Sequence, residues 1–236
     1  MKVRVTALAL FAQFAFAQIV LPVEDQARLA MAHKDYRKAL DIYHSIDKPS
    51  PLVLNMIGMA YLSINDLKNA KKYYQRAVKD RPNYSEAINN LGAVFYAERN
   101  YRRAITEYEK AIKLAPNSAL YHSNLGTAWY MRKDFAKMTE YYRRALALDS
   151  TVFESKGSYD GSLIQQSSIE EKAKYFFYLC KTYANAGMIP QALQNMRKAL
   201  ENGFKDRKHF TEDAEFASLQ ELPEFKELLA YQPRVL

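Results

Sequence analysis

Glycine, aromatic, alanine and proline positions recur along this chain at one fixed step, and that recurrence limits the fold more than any other feature. Gly58 returns as Gly92 and Gly126, and Tyr61 as Phe95 and Trp129. Ala70 returns as Ala104, Tyr74 as Tyr108 and Tyr142, Ala77 as Ala111 and Ala145, and Pro82 as Pro116. Every step is 34 residues. Self-similarity at a fixed period marks a repeat architecture, in which one unit cannot bury its apolar face without a neighbour.

The spacing inside a unit is helical. Leu54, Ile57, Gly58 and Tyr61 fall at i, i+3, i+4 and i+7, one face of a helix. Ala70, Tyr74 and Ala77 do the same for a second helix. Gly58 and Ala70 are small where two helix backbones would meet, and the Tyr74 ring can fill the space beside them. Asn65-Asp66 supplies turn chemistry between the helices, and Pro82 cannot continue the second one. These residues resemble the tetratricopeptide repeat family, a 34-residue helix-turn-helix, most specifically in the units starting near Pro51, Ser85 and Ala119. The resemblance implies an all-α, right-handed superhelical solenoid of about five hairpins with a C-terminal helical cap.

Taken in order, residues 18–152 hold four repeats. The first is degenerate: Tyr36, Ala39, Tyr43 and Pro51 are read as keeping the phase, and Ala27 replaces the glycine. In the fourth, Met138 replaces the small alanine, which predicts a wider helix pair, and Ser150 replaces the proline. The period then breaks. A fifth unit, judged from Tyr183, Ala192 and Ala199, opens in phase at Ala173, leaving 20 extra residues. Serines with Gly157 and Gly161 make 153–168 a loop insertion. Ser168-Ile169-Glu170-Glu171 is a capping box that restarts the helix, so the fifth repeat covers 169–204. Two short helical patterns in 205–236 carry Phe216, Leu219, Phe225, Leu228 and Leu229 and are expected to cap the stack.

The first residues have another character. Lys2 and Arg4 precede an apolar run from Val5 to Phe16, and Ala15-Phe16-Ala17 is a small-x-small cleavage site. That is the layout of a secretory signal peptide over 1–17, of a length that points to a bacterium. The alternative is an uncleaved anchor over Val5 to Leu21, short for a membrane span and broken by Gln13 and Gln18. An exported chain, periplasmic or secreted, is expected. Its one cysteine, Cys180, leaves stability to helix packing rather than to disulfides. The formal charge of +8 becomes +6 when Lys2 and Arg4 leave with the leader (8 minus 2). Export argues against nucleic acid as a partner. Arg102, Arg103, Arg143 and Arg144 on second helices make an anionic polymer or lipid of the cell envelope the alternative partner class.

No catalytic constellation, cofactor loop or metal-ligand spacing emerges, so an enzyme is not expected, nor a cofactor. Binding is. Each first helix carries a further line at i, i+4, i+7: Asn55, Met59 and Leu62; Asn89, Ala93 and Tyr96; Ser123, Thr127 and Tyr130; Phe177, Lys181 and Ala184. In the family this line faces a concave groove that grips extended peptides or a partner helix. By that resemblance Asn90 and Asn124 stand at the groove edge, where they bond either a peptide backbone or the neighbouring repeat. The expected activity is that of a protein-interaction scaffold or assembly factor with a protein or peptide partner.

Overall fold

A computed structural model describes residues 21–154 and 168–231. The leader, 1–17, and all but the ends of the 153–168 insertion lie outside the described residues. Helices come in hairpins. The first is α1 (Val23–Ala32) with α2 (Tyr36–His44), and the second α3 (Pro51–Ser63) with α4 (Leu67–Asp80). The third is α5 (Ser85–Ala97) with α6 (Tyr101–Leu114), and the fourth α7 (Ala119–Met131) with α8 (Phe135–Leu148). The fifth is α9 (Ile169–Asn185) with α10 (Ile189–Glu201). A tail of α11 (His209–Glu212), a 3-10 turn (Ala214–Phe216) and α12 (Pro223–Ala230) follows. Each of the first four hairpins stacks on the next, the fifth packs through α9 on α8, and no strand occurs among the described residues. The all-α solenoid stands.

One turn chemistry closes the first four hairpins. Lys34, Asn65, Arg99 and Lys133 take φ between 59° and 62°. The residue after each, Asp35, Asp66, Asn100 or Asp134, accepts from the backbone N–H three positions on and caps the second helix. Such a cap contributes about 1 kcal/mol, which helps offset the left-handed residue before it. In the fifth hairpin Gly187, at φ 71°, takes that place without strain.

These turn residues fix the register. The steps are 31 from Lys34 to Asn65, then 34 and 34, then 54 from Lys133 to Gly187 (34 plus the 20 extra residues). The first hairpin therefore does not keep the 34-residue phase. Ala39 and Tyr43 are the buried counterparts of Ala70 and Tyr74 at the shorter step, and α2 has 9 residues against 14 in α4.

The glycines are closed to side chains. A Cβ on Gly58 would lie 2.6 Å from the Tyr74 ring, and one on Gly92 2.7 Å from the Tyr108 ring. At Gly126 the Tyr142 ring crowds the same space, with the Met138 carbonyl oxygen 3.3 Å away. Met138 thus does not widen the pair at that glycine; its own side chain is fully buried. The outer hairpins solve the contact differently, with Ala27 and Tyr43 in the first and Cys180 and Met196 in the fifth, all buried.

The extra residues reverse the fifth hairpin. Between ordinary neighbours, Lys71 near the start of α4 lies 3.1 Å from Glu98 just past the end of α5, so consecutive helices are antiparallel. α9 breaks that rule. Tyr130, at the end of α7, donates to the Glu171 carbonyl in the first turn of α9 at 2.7 Å. Phe135, first residue of α8, stacks on Tyr178 at 4.4 Å and 6°. Phe153, beyond the end of α8, meets Tyr183 near the end of α9 at 6.2 Å. Start lies by start and end by end, so α9 runs parallel to α8 rather than opening in the orientation of the earlier repeats. Going back along 14 residues of helix, about 21 Å, takes at least about seven extended residues, which a normal inter-repeat link lacks.

Beyond α10 the expected cap forms. Phe210, Phe216, Leu219, Phe225 and Leu228 are buried in the same cluster as α9 and α10.

Candidate functional site

The line along the first helices is the candidate site, and the structure shows what each member touches. Asn55 is fully buried, donates to Glu86 Oε1 at 3.0 Å and accepts from Asn90 Nδ2 at 3.0 Å. One repeat on, Asn89, also buried, accepts from Asn124 Nδ2 at 3.0 Å. The amides thus form a ladder between consecutive first helices. Of the two roles open to Asn90 and Asn124, the structure displays the inter-repeat one.

The larger side chains divide by repeat. Met59 and Leu62 are half-buried against the second and third hairpins. Ala93 and Tyr96 are each 3% exposed, and the Tyr96 ring meets Tyr101 edge-on at 5.3 Å. Ser123 and Thr127 bond back into their own helix, and the Thr127 hydroxyl pairs with Tyr142 at 2.9 Å. Tyr130 packs edge-on against Tyr175 at 5.3 Å. Burial, and secondarily the Glu171 carboxylate, raises the Tyr130 pKa well above the ordinary tyrosine value.

Phe177 and Lys181 face the cap. Phe177 stacks on Phe204 at 4.3 Å and 8° and meets Phe210 edge-on at 5.2 Å. Lys181 Nζ lies 2.9 Å from Asp213 and 3.3 Å from Glu215. Burial disfavours its charge, but those carboxylates outweigh burial and raise the Lys181 pKa. With α9 reversed, these two residues do not prolong the line of repeats two to four in register.

Two side chains on the line escape a reading by i, i+4, i+7 alone. Leu52 and Leu120 stand one turn nearer the helix starts, 43% and 46% exposed, at the same point of the second and fourth units. Glu86 holds that point in the third. The i−3 extension of the line contains the signal. Leu52, Met59, Leu62, Leu120 and Tyr130 are the apolar members left open or half-open.

The second-helix face is basic, and several of its cations are engaged. Lys71 and Arg103 lie 4.6 and 5.6 Å from the Phe95 ring centre, and Lys137 lies 3.8 Å from that of Trp129. Lys71 also bonds Glu98, Lys110 bonds Glu107, and Arg144 bonds Glu140 while lying over Tyr141. Cys180 is buried, and burial pushes its thiol pKa well up, against any nucleophilic role. Among the described residues no group of histidine, cysteine and carboxylate side chains could hold a metal ion. No helix among them is long and apolar enough to cross a membrane.

Fold and site together define a helical-repeat solenoid of the tetratricopeptide type. Residues 52–84 and 91–152 match tetratricopeptide-repeat family models, which covers the second and fourth hairpins and most of the third, and stops before the reversed fifth. Among solved structures, MamA from Desulfovibrio magneticus RS-1, residue 41 to its end, is 19% identical with a TM-score of 0.53, over 81% of this chain and 96% of that one. Another crystal structure of MamA gives 19% identity and the same TM-score of 0.53, over 80% and 99%. At that identity the likeness is one of fold. No curated protein matches. None of these matches indicates an enzymatic family.

Proposed function

We propose that this chain is a non-catalytic scaffold or assembly factor that holds a peptide or partner helix along the concave, first-helix face of its repeats. The observation that carries this is the set of open apolar side chains on that face. Leu52 and Leu120 are 43% and 46% exposed, in phase, beside half-buried Met59, Leu62 and Tyr130. Exposed leucines at the same point of two repeats, on either side of Glu86, with half-buried apolar neighbours, mark a surface for a partner to cover. The other reading, an anionic polymer or lipid on the basic second-helix face, has less support. Lys71, Arg103, Lys137 and Arg144 already serve rings and carboxylates of their own fold.

Salt separates the two. Partner capture through the apolar face persists when ionic strength rises from about 0.05 M to about 0.5 M, where charge-driven binding falls steeply. The compartment is part of the proposal: residues 1–17 are removed on export, leaving Gln18 first. Intact-mass measurement on the protein from its native host gives the mass of the chain from Gln18; a full-length mass in a membrane pellet would mean a retained anchor.

A further inference from the structure

We infer that the first hairpin of the stack is an interface with a second copy of this chain. In a solenoid each hairpin presents one face to the hairpin before it. Ala60, Val94 and Ala128 occupy that face in the second, third and fourth hairpins, and all three are fully buried. Their counterpart in the first hairpin, one shortened step before Ala60, is Leu29, and it is 50% exposed. The small residue of the buried seam has become a large apolar one where no hairpin among the described residues precedes it. Leu29 lies with Ala30 and half-buried Ile42 in a shallow cleft of about 510 Å³ between α1 and α2, edged by Gln26, His33 and Lys38. Tyr73, the counterpart of Ile42, meets His44 of the first hairpin at 5.8 Å, so this side of a hairpin is one the fold itself uses for stacking.

Two observations say what covers it. The far end of the stack is closed, since Phe225 and Leu228 of α12 are buried against the fifth hairpin. Head-to-tail stacking of copies is therefore blocked, and only the pairing of like ends remains, a closed two-fold contact. The charges on α1 and α2 suit such a contact. Acids Glu24, Asp25 and Asp41 balance bases Arg28, Arg37 and Lys38, in a chain whose formal charge is +8. A balanced patch meets its own copy without the repulsion that the rest of the surface imposes. This proposal does not depend on the partner-binding face, which lies along the sides of the repeats rather than at their end.

Light scattering after gel filtration, over a dilution series of the purified protein, tests it. The expected species at the higher concentrations has twice the mass of the chain under test, which is 27.3 kDa with all 236 residues and less once the leader is removed. Leu29→Lys gives the monomer mass with unchanged helicity, whereas Leu120→Lys, at an equally exposed site elsewhere, stays dimeric. Leu29→Cys forms a disulfide-linked dimer on mild oxidation, to which buried Cys180 does not contribute. A monomer throughout the series overturns the inference. So does a dimer that Leu29→Lys leaves intact, or one that both lysine variants dissolve alike.

Discussion

The hydroxyl of Tyr130 donates across 2.7 Å to the backbone carbonyl of Glu171, tying the fourth hairpin to the first turn of the fifth. The bond exists only because α9 runs parallel to α8. Tyr130→Phe keeps the ring and removes the bond, so it costs about 1 kcal/mol at neutral pH. Burial and Glu171 raise the folded-state pKa of this phenol, so the folded protein favours its protonated form. That contribution is whole below the unfolded tyrosine pKa of about 10 and is lost as pH climbs above it. Urea midpoints followed by circular dichroism should fall with pH above about 10, less steeply in Tyr130→Phe. Equal slopes would mean the phenol is not held as described.

The Gly92–Tyr108 contact predicts a coupled pair. A Cβ on Gly92 would stand 2.7 Å from the Tyr108 ring, which is itself 2% exposed and has nowhere to retreat. Gly92→Cys should cost on the order of 1–3 kcal/mol. The fifth hairpin shows the compensated form, Cys180 facing Met196. Adding Tyr108→Met should then recover part of the loss, with a coupling of roughly 0.5–3 kcal/mol in a double-mutant cycle. Simple additivity of the two changes would be inconsistent with this packing.

What the sequence discloses follows from what a period can encode. Gly58, Gly92 and Gly126 each oppose a tyrosine on the second helix of their own hairpin, a local relationship, and both the hairpins and their stacking follow from it. Ala39 and Tyr43 stand 31 residues before Ala70 and Tyr74, so imposing the 34-residue step puts the shortened first unit at the wrong offset. The Lys34-Asp35 turn, matching Asn65-Asp66, holds the right one. Reversal of α9 is invisible to phase: Cys180, Ala192 and Ala199 keep their spacing whichever way the hairpin is laid down. Contacts in space reveal it: Tyr130 with Glu171 and Tyr175, Phe135 with Tyr178, and Phe153 with Tyr183. At the site, i, i+4, i+7 puts Asn55 and Asn89 on the first-helix line, but spacing does not say that Asn90 and Asn124 would occupy them.

That amide ladder predicts how damage travels. Asn124→Leu is close in size and removes the donor to Asn89 Oδ1, leaving a buried acceptor without it. The cost expected is about 1–3 kcal/mol. Because neighbouring repeats stabilise one another, hydrogen-exchange protection should drop in both the third and fourth hairpins rather than in α7 alone. Loss confined to α7 would make the ladder incidental to stacking.

The open apolar strip carries the binding proposal, and its variants must spare the fold. Tyr96 is unsuitable: at 3% exposure and packed on Tyr101, its truncation would open the core. Leu52 and Leu120 are 43% and 46% exposed, so Leu52→Ser with Leu120→Ser should leave helicity and the urea midpoint nearly unchanged. Anchors of this kind dominate an interface, and losing the pair should weaken capture of a partner from the envelope fraction by about 2 kcal/mol or more. Charge reversal at Arg102, Arg103, Arg143 and Arg144 should change capture little, since these side chains lie on the opposite, second-helix face. The reverse pattern, normal capture by the leucine pair variant and none by the arginine variant, would transfer the partner to the basic face. Affinity for the captured partner, measured at low and high salt with circular dichroism alongside, distinguishes these outcomes.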